Sequence, residues 1–287
     1  MTGGAVILVT GSSGQLGSEL SDLAPQYPQF DFIFFDRNKL DITNPAKIQE
    51  VFEQYRPSVL INCAAYTAVD KAEEEQELAM LINANGAENL AKATASHQCH
   101  FFHISTDYVF DGNGKDPYKE DDLTDPINVY AASKLIGEEL VLKANPSSII
   151  IRTSWVYSSH GKNFVKTMFR LMKEKDSINV VNDQIGSPTY AADLAKVILE
   201  IINGNKWEPG IFHYSNEGNI SWFELAVAIN ELTESNCNVI PISTEEYPTI
   251  AKRPAYSSLD NNKIRSVYGI QPRLWQDSLL ECISKLK

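Results

Sequence analysis

Cysteine is scarce in this sequence, and its distribution excludes a disulfide-stabilised scaffold. Only four cysteines occur in 287 residues, and none of them forms a Cys-x-x-Cys pair. They are Cys63, Cys99, Cys237 and Cys282. Small secreted proteins with disulfide frameworks carry more cysteines at shorter spacings. We therefore expect four reduced thiols.

A zinc site is not expected either, although several histidines lie close to one cysteine. The possible ligands are His97, Cys99, His100 and His103. The apolar run at 101–104 predicts a strand, whose side chains alternate between two faces, whereas His97 ends a predicted helix. Side chains placed in this way do not converge on one ion.

Long apolar runs and clusters of positive charge are both missing. No segment has 18 consecutive apolar residues, and residues 1–9 lack the basic region of a signal peptide. The chain has 25 Lys and Arg residues against 37 Asp and Glu residues, a formal net charge of −12. Since nucleic-acid binding needs clustered cations, we expect no nucleic-acid partner, no membrane segment, and a cytoplasmic enzyme.

The apolar pattern predicts alternating strands and helices in the first half of the chain. Strands are predicted at 5–10, 32–35, 59–61, 101–104 and 149–151, and helices at 15–23, 45–55, 73–96 and 129–143. Strands that are apolar throughout and alternate with helices are typical of a parallel sheet covered on both faces. The predicted fold class is therefore α/β, a Rossmann-like doubly wound parallel sheet.

After Arg152 the alternation loosens, and segments with proline and glycine separate the helical patterns. Helices are predicted at 163–174, 191–202, 221–232 and 276–285. We divide the chain into a dinucleotide-binding domain, residues 1–155, and a smaller mixed α/β region, residues 156–287. The second region is expected to bind the substrate and to return some segments to the first.

A glycine turn after the first predicted strand indicates a dinucleotide site. Gly11, Gly14 and Gly17 are spaced three residues apart, at the start of a predicted helix. Glycines permit a tight turn and close approach of the backbone to a pyrophosphate, which the helix N-terminal amides bind. Asp36 ends the second strand, where a carboxylate can bind the adenosine ribose, and Arg37 can pair with a 2′-phosphate. This pair leaves the choice between NAD(H) and NADP(H) open.

Tyr130 and Lys134 lie four residues apart in a predicted helix, so a phenol and an ammonium share one face. A nearby cation favours the phenolate, which would lower the pKa of Tyr130 from about 10 towards neutrality. The tyrosine would then be a usable proton donor or acceptor. With the glycine turn, this pair predicts a nicotinamide-dependent oxidoreductase.

Several longer motifs point to a known family. They are Gly14-Gln-Leu-Gly17, Asn62-Cys-Ala-Ala-Tyr-Thr-Ala-Val-Asp-Lys-Ala-Glu73, Ser105-Thr-Asp-Tyr-Val-Phe-Asp-Gly112, Arg152-Thr-Ser-Trp-Val-Tyr157, Asn182-Asp-Gln-Ile-Gly-Ser-Pro188 and Arg253-Pro254. With Tyr130-x-x-x-Lys134, they resemble the extended short-chain dehydrogenase/reductase superfamily and, within it, the dTDP-4-dehydrorhamnose reductase family. The resemblance implies NADPH- or NADH-dependent reduction of the 4-keto group of dTDP-4-dehydro-β-L-rhamnose, a nucleotide sugar, to dTDP-L-rhamnose.

The resemblance also implies roles for individual residues. The implied catalytic residues are Thr106, Tyr130 and Lys134, with Tyr130 as the acid and Lys134 on the nicotinamide ribose. Implied cofactor contacts are Gly11, Gly14, Gln15, Leu16 and Gly17 at the pyrophosphate turn, Asp36 and Arg37 at the ribose, Asp41 and Ile42 by the adenine, Ala64, Ala65, Tyr66 and Thr67 after the third strand, and Tyr130 and Lys134. Implied substrate contacts are Val69, Thr106, Asp107, Tyr108, Trp155, Gln184 and, for the diphosphate, Arg253.

Magnesium is possible but is not supported by the sequence. Some members of the family bind it through glutamates at a dimer contact, and Glu19 matches one such position. Ala192 stands at the second position, and Asp193 comes one residue late. A metal-bridged dimer is therefore not predicted, and the chain is expected to be a monomer or a homodimer.

Two alternative functions stay open. One is a nucleotide-sugar 4-epimerase or 4,6-dehydratase of the same superfamily, although Thr106-Asp107-Tyr108 lacks the Asp-Glu pair that follows the threonine in dehydratases. The other is a non-catalytic NAD(P)-binding regulatory subunit. An intact Thr106, Tyr130 and Lys134 makes that second alternative unnecessary.

Overall fold

The computed structural model describes residues 4–204 and 206–287. Residues 1–3, on which part of the signal-peptide argument rests, and Asn205, which falls in the predicted second region, lie outside the described residues. Within the described ranges, no helix is both long and apolar enough to cross a membrane.

The first half of the chain alternates strands and helices as predicted. Its elements are β1 (Ala5–Thr10), α1 (Gln15–Leu23), β2 (Phe30–Phe35), α2 (Pro45–Tyr55), β3 (Val59–Asn62), α3 (Val69–Ala72), α4 (Gln76–Met80), α5 (Ala87–Ser96), β4 (His100–Thr106), α6 (Val129–Ala144) and β5 (Ile149–Thr153). Asparagine side chains begin two of these helices: Asn44 accepts from the Lys47 amide, and Asn128 from the Ala131 amide.

The second half contains shorter strands. Its elements are β6 (Val156–Tyr157), α7 (Phe164–Glu174), β7 (Ser177–Val181), β8 (Ile185–Gly186), β9 (Thr189–Tyr190), α8 (Ala191–Asn203), β10 (Gly210–His213), β11 (Ile220–Ser221), α9 (Trp222–Leu232), β12 (Asn238–Ile242), α10 (Asn262–Tyr268) and α11 (Trp275–Ser284). Three two-stranded pairs form here, namely β6 with β9, β7 with β12, and β8 with β11.

Six strands form one parallel sheet in the order β2-β1-β3-β4-β5-β10. Helices cover both of its faces, and the predicted doubly wound sheet is confirmed. The chain moves outward from β1 to β2 and then returns past β1 to β3. In such a sheet, ligands bind outside the carboxyl ends of the strands where this direction reverses.

The sheet has a separate apolar core on each face. On one face α1 and α8 pack with residues such as Leu20 and Ile198, and on the other face α2, α5 and α6 pack with residues such as Phe52 and Leu90. A third core lies among α7, α9 and α11. Helix α8 and strand β10 follow residue 155 in the chain, and they pack on the sheet and extend it, respectively.

The predicted helix at 73–96 is interrupted. It contains α4, a π-helical turn at Leu81–Gly86, and α5. The Asn83 side chain in this turn accepts from the Tyr66 amide at 2.8 Å and donates to Ser133 Oγ at 2.9 Å. Helix α6 also approaches closely, because a Cβ on Gly137 would lie 2.3 Å from the Asn83 carbonyl oxygen. Such bulges are frequent at functional sites.

Candidate active site

A cleft of about 630 Å³ opens at the carboxyl ends of β1, β3, β4 and β5. Of the residues with predicted roles, those in its wall are Gly14, Gln15, Leu16, Ala64, Ala65, Thr67, Val69, Thr106, Asp107, Tyr108, Tyr130, Lys134 and Trp155. Those outside the wall are Gly11, Gly17, Asp36, Arg37, Asp41, Ile42, Tyr66, Gln184 and Arg253. The cleft coincides with the reversal point of the sheet, where a dinucleotide is expected.

The glycine turn has the geometry that a pyrophosphate site requires. Gly11 has φ = 66°, and a Cβ there would lie 2.5 Å from the Ala64 amide nitrogen. A Cβ on Gly17 would lie 2.5 Å from the Gly11 carbonyl oxygen, so α1 packs directly on the turn. Gly14 is the N-cap of α1 and offers no capping side chain. Helix N-terminal amides are therefore left available to an anion in the cleft.

Asp36 and Arg37 lie beside this turn, at the end of β2. The Ser12 amide donates to the Phe35 carbonyl at 3.1 Å, which ties the turn to that strand. Asp36 Oδ1 accepts from the amides of Asn38 and Lys39 at 2.9 and 3.0 Å. The acid is thus fixed by the loop, while Arg37 is exposed.

Asp41 and Ile42, the two residues expected near the adenine, differ in their exposure. Asp41 is exposed, and the Thr43 amide bonded to its carboxylate lowers the pKa of that carboxylate. The Ile42 side chain is 4% exposed and packs in the core beneath α2 and α5. Only its backbone can therefore contribute to an adenine site.

The segment after β3 forms the next part of the wall. Ala64, Ala65, Thr67 and Val69 line the cleft. The Tyr66 side chain does not line the cleft, and its hydroxyl donates to Glu75 Oε2 at 2.6 Å.

Tyr130, Lys134 and Thr106 come together in the cleft. Tyr130 is on the first turn of α6, and Thr106 ends β4. The Thr106 hydroxyl donates to Asp107 Oδ1 at 3.0 Å and accepts from the Tyr108 amide at 3.2 Å. A hydrogen bond with Thr106 acts on the Tyr130 phenol and partly offsets the effect of burial on its pKa.

The expected lowering of the Tyr130 pKa is wrong for the protein alone. Burial raises the pKa of Tyr130 to about 12. Lys134 does not counter this effect, because its Nζ donates to the Ile104 carbonyl at 2.6 Å and lies 3.3 Å from His103 Nε2. Burial also lowers the pKa of Lys134 to about 8. The phenol therefore keeps its proton at neutral pH.

The opposite wall of the cleft is aromatic. Trp155 has φ = 46° and stacks on Trp222, with ring centroids 3.5 Å apart and planes inclined by 8°. A Cβ on Gly186 would meet the Trp155 indole at 2.5 Å, so a glycine is required beneath it. Tyr108 packs edge-on against Tyr130, with centroids 6.2 Å apart. These rings provide a broad apolar wall.

Asp107 is the buried acid of the cleft. It is 2% exposed, and among the described residues its Oδ2 has no hydrogen-bond partner. Burial raises the pKa of Asp107 to about 7, although hydrogen bonds from Ser257 and Thr106 act in the opposite direction.

Gln184 and Arg253 lie outside the wall and are paired with protein groups. Gln184 Nε2 donates to Thr244 Oγ1 at 3.0 Å. The Arg253 guanidinium binds both carboxylate oxygens of Asp70, at 2.6 and 2.7 Å. The Arg253 pair joins α3 to the carboxy-terminal segment.

The model of the RmlD substrate binding domain family matches residues 5–287. A dTDP-4-dehydrorhamnose reductase of Aggregatibacter actinomycetemcomitans is 44% identical over 96% of this chain and 97% of its own length. The crystal structure of a dTDP-4-dehydrorhamnose reductase from Clostridium acetobutylicum is 44% identical, covers 98% of this chain and 99% of its own, and has a TM-score of 0.94. The corresponding enzyme from Bacillus anthracis, solved in complex with NADP, is 43% identical with the same coverage and TM-score.

The chain belongs to the RmlD substrate binding domain family. The resemblance inferred from the sequence motifs is therefore confirmed.

Magnesium does not fit the position where some members of this family bind it. The Asp193 carboxylate is occupied by Arg273 at 2.9 Å, Ser278 at 2.5 Å and Asn216 at 2.9 Å. Glu19 accepts from Ser158 Oγ at 2.5 Å. Among the described residues, only Glu19, Asp22 and His160 bring possible ligand atoms together, and His160 is paired with Asp22 at 2.7 Å.

Four features of this family member were missed as site components by the sequence analysis. Trp222 stacks on Trp155, and Asn163 Nδ2 donates to Gln15 Oε1 at 2.8 Å. Lys162 lines the cleft, and His103 lies against Lys134. Asn163 could have been recognised as a helix cap before an apolar run, but the contacts of Trp222, Lys162 and His103 depend on tertiary folding.

Proposed function

We propose that this chain is a dTDP-4-dehydrorhamnose reductase, which reduces the 4-keto group of dTDP-4-dehydro-β-L-rhamnose with NADPH to give dTDP-L-rhamnose. One observation carries the proposal: a chain that matches the family over residues 5–287 places Thr106, Tyr130 and Lys134 in one cleft beside the glycine turn. The enzyme named in the Bacillus anthracis structure was solved with NADP, which supports that cofactor.

The cofactor, when bound, supplies a hydride to the sugar carbonyl. The amides of Gln15 and Leu16 bind its pyrophosphate, since α1 has no capping side chain. Gly14 lies against the pyrophosphate and holds the turn, because its amide donates to the Gly11 carbonyl at 3.0 Å. Asp36 and Arg37 hold the adenosine ribose, and Lys134 holds the nicotinamide ribose. The remaining proposed contacts are Gly11, Gly17, Asp41, Ile42, Ala64, Ala65, Tyr66 and Thr67.

Tyr130 acts as the proton donor. Its raised pKa keeps the phenol protonated at neutral pH, which is the form that reduction of a ketone needs. As charge develops on the sugar oxygen, the Tyr130 proton moves to that oxygen. The Thr106 hydroxyl rotates its single hydrogen from Asp107 Oδ1 to the same oxygen and donates a second hydrogen bond. The protein's main task is to neutralise this charge.

The nucleotide sugar lies between the aromatic wall and the end of β4. Trp155 and Tyr108 cover its apolar faces, and Val69 and Asp107 complete the pocket. Gln184 and Arg253 contact the substrate from outside the wall. The bonds to Asp70 and to the Ala251 carbonyl use three of the five guanidinium N–H donors, so Arg253 can bind the diphosphate while it keeps its pair with Asp70.

The two regions divide this work. Residues 1–155 hold the cofactor and the catalytic residues, and residues 156–287 mainly complete the sugar-nucleotide pocket. The cleft supports this division, since Trp222 and Leu225 of α9 form part of its wall. Three expectations stay predictions: a monomeric or homodimeric state, a location in the cytoplasm, and the absence of a nucleic-acid partner.

Product analysis tests the proposal. The protein is incubated with dTDP-4-dehydrorhamnose and NADPH, and in a parallel reaction with NADH, and the sugar nucleotide is analysed. Stoichiometric cofactor oxidation with formation of dTDP-L-rhamnose is expected. Turnover without net cofactor consumption would indicate an epimerase or dehydratase instead. Binding of the cofactor without any turnover would indicate a non-catalytic subunit.

A further inference from the structure

Two acids at helix α3 contact both sides of the proposed substrate site. Asp70 and Glu73 are three residues apart, so their side chains share one side of this helical turn. Asp70 binds the carboxy-terminal segment that carries Arg253, and Glu73 binds the start of α6, which carries Tyr130. Val69, at the start of α3, lines the cleft. One short element therefore touches the groups assigned to the two ends of the substrate.

Asp70 holds a segment as well as a side chain. Its Oδ1 accepts from the Ala251 amide at 3.1 Å and from Arg253 Nη1 at 2.6 Å, and its Oδ2 accepts from Arg253 Nη2 at 2.7 Å. Arg253 Nη1 also donates to the Ala251 carbonyl at 2.7 Å. The guanidinium is thus fixed in one orientation, and two of its N–H donors remain for another acceptor.

The Arg253 guanidinium lies beside the cleft wall. Burial raises the pKa of Tyr108, which lines the cleft, and the positive charge of Arg253 acts against this rise. The Arg253 side chain is 19% exposed. An anion at the mouth of the cleft can therefore reach the remaining donors while the pair with Asp70 stays intact.

Glu73 supplies an acceptor to the first turn of α6. The first amides of a helix have no partner within the helix. The N-cap residue Asn128 accepts from the Ala131 amide at 2.8 Å, and Glu73 Oε1 accepts from the Val129 amide at 2.9 Å. A carboxylate also suits the positive end of the helix dipole. Tyr130 lies between the two residues whose amides are bound in this way.

The start of α6 is also joined directly to the carboxy-terminal segment. Asn128 Nδ2 donates to the Lys252 carbonyl at 2.9 Å, while Oδ1 of the same side chain caps the helix. Three parts of the chain are thus connected in pairs: α3 to residues 251–253 through Asp70, α3 to α6 through Glu73, and α6 to residues 251–253 through Asn128. A closed set of contacts of this kind leaves little freedom in the relative placement of its members.

We propose that Asp70 and Glu73 are positioning residues of the reductase, which set the distance between Arg253, at the substrate diphosphate, and the proton donor Tyr130. The proposal deepens the proposed function and rests on it. A nucleotide sugar that is bound through its diphosphate then presents its keto group at the Tyr130 hydroxyl. Binding energy from the part of the substrate that does not react is in this way used to orient the part that does.

Glu73→Ala tests the link to Tyr130. The Val129 amide loses its acceptor, so the first turn of α6 is held less firmly. We expect kcat for the keto-sugar to fall by about 10- to 100-fold, while the Kd values for NADPH and dTDP change by less than about twofold. Glu73→Gln should recover most of this loss, because its amide oxygen can accept the same hydrogen bond. Glu74→Ala, which removes an exposed charge one residue away, is the control.

Val129→Pro removes the same hydrogen bond from the other side and keeps the acid. Proline is tolerated at the first position of a helix and has no N–H. The variant should lose turnover in the same way as Glu73→Ala, and the double variant should lose no more than the more impaired single variant. Additive losses would mean that Glu73 does not act through this bond, which would overturn its assigned role. Val129→Pro also keeps the test decisive if Glu73→Ala does not fold.

Asp70→Asn tests the link to Arg253. By charge alone, the loss of a carboxylate beside the guanidinium would strengthen the binding of an anion. An amide has only one oxygen, however, so the paired geometry that orients Arg253 is lost. We expect the Kd of dTDP, measured by isothermal titration, to rise by about tenfold, with the Kd of NADPH unchanged. An unchanged or lower Kd for dTDP would overturn the orienting role, and Asp31→Asn, an exposed acid on β2, is the control.

Hydrogen exchange separates this inference from the proposed function. In the protein without substrate, the Val129 amide should exchange at least about fivefold faster in Glu73→Ala than in the native protein or Glu73→Gln. An equal loss of kcat and of both ligand affinities in Glu73→Ala, or an unchanged exchange rate, would show that Glu73 is not a positioning residue. If the native protein bound NADPH and dTDP but did not reduce the keto-sugar, the proposed function would fail, whereas the exchange rates and the dTDP titration would still decide whether the two acids hold Tyr130 and Arg253.

Discussion

Tyr130 can be tested by removing only its hydroxyl. Tyr130→Phe keeps the ring packed against Tyr108 but removes the proton donor. We expect kcat to fall by about 10²- to 10⁴-fold, the usual contribution of a positioned acid, with the Kd for NADPH changed by less than about twofold. Single-turnover reduction and fluorescence titration measure these quantities. Tyr55→Phe, which removes a hydroxyl from α2, is the control, and near-native turnover in Tyr130→Phe would reject the assigned acid.

Substitution of Arg37, another single residue, tests whether the site prefers NADPH to NADH. Its side chain is exposed beside the glycine turn, while Asp36 is fixed by the amides of Asn38 and Lys39. If the guanidinium binds the 2′-phosphate, Arg37→Ala loses charge-assisted bonds to NADPH only, which corresponds to an affinity loss of about 10- to 100-fold. Isothermal titration with NADPH and NADH measures the difference. Equal losses for both cofactors would reject this role, and Arg170→Ala on the exposed face of α7 is the control.

At the scale of elements, the sequence predicts what local chemistry decides. The apolar runs of β1, β3, β4 and β5 are read from neighbouring residues, and the structure contains these strands. Strand β10 was not predicted, because its four residues, Gly210–His213, form a strand only by pairing with β5. The two-residue strands of the second region have the same origin. The π-helical turn depends on the close approach of α6, which no local pattern indicates.

The close packing of helix α1 on the glycine turn predicts the effect of substituting Gly17. Gly17→Ala should favour the isolated helix by about 1 kcal/mol through propensity alone. Its Cβ would, however, lie 2.5 Å from the Gly11 carbonyl oxygen, so α1 must move away from the turn. We expect a lower Tm and an NADPH affinity reduced at least about tenfold, or 1.4 kcal/mol. Ser21→Ala on the exposed side of α1 is the control, and a Gly17→Ala protein with native affinity would exclude this steric requirement.

At the scale of the whole molecule, the site draws on parts of the chain far apart in sequence. The glycine turn and the Tyr130–Lys134 pair were predictable, because helical spacing and turn chemistry act locally. Trp155 precedes strand β8 in the sequence and Trp222 follows it. Their stacking contact, which forms the aromatic wall, therefore exists only after folding. The shift of the Tyr130 pKa was predicted in the wrong direction for the same reason. Burial raises this pKa, and burial is a property of the folded chain.

Burial of Asp107 connects the site to the stability of the whole molecule. Its pKa is raised to about 7 in the folded protein, against an ordinary value near 3.8. The folded state therefore binds a proton that the unfolded state has lost, over the pH range between these values. The resulting stabilisation is complete below pH 4 and is lost as the pH rises through about 7. A carboxylate that is forced to ionise in the cleft then opposes folding.

Asp107→Asn removes this dependence, because an amide does not titrate. Between pH 5 and 7.5 the free energy of unfolding of the variant should rise relative to the native protein, by on the order of 2 kcal/mol. Urea unfolding at several pH values, without ligand, measures this difference. Asp111→Asn is the control: the Asn113 amide lowers the pKa of Asp111, so its contribution changes only below pH 4. A constant offset between Asp107→Asn and the native protein across this range would mean that Asp107 is already ionised at pH 5.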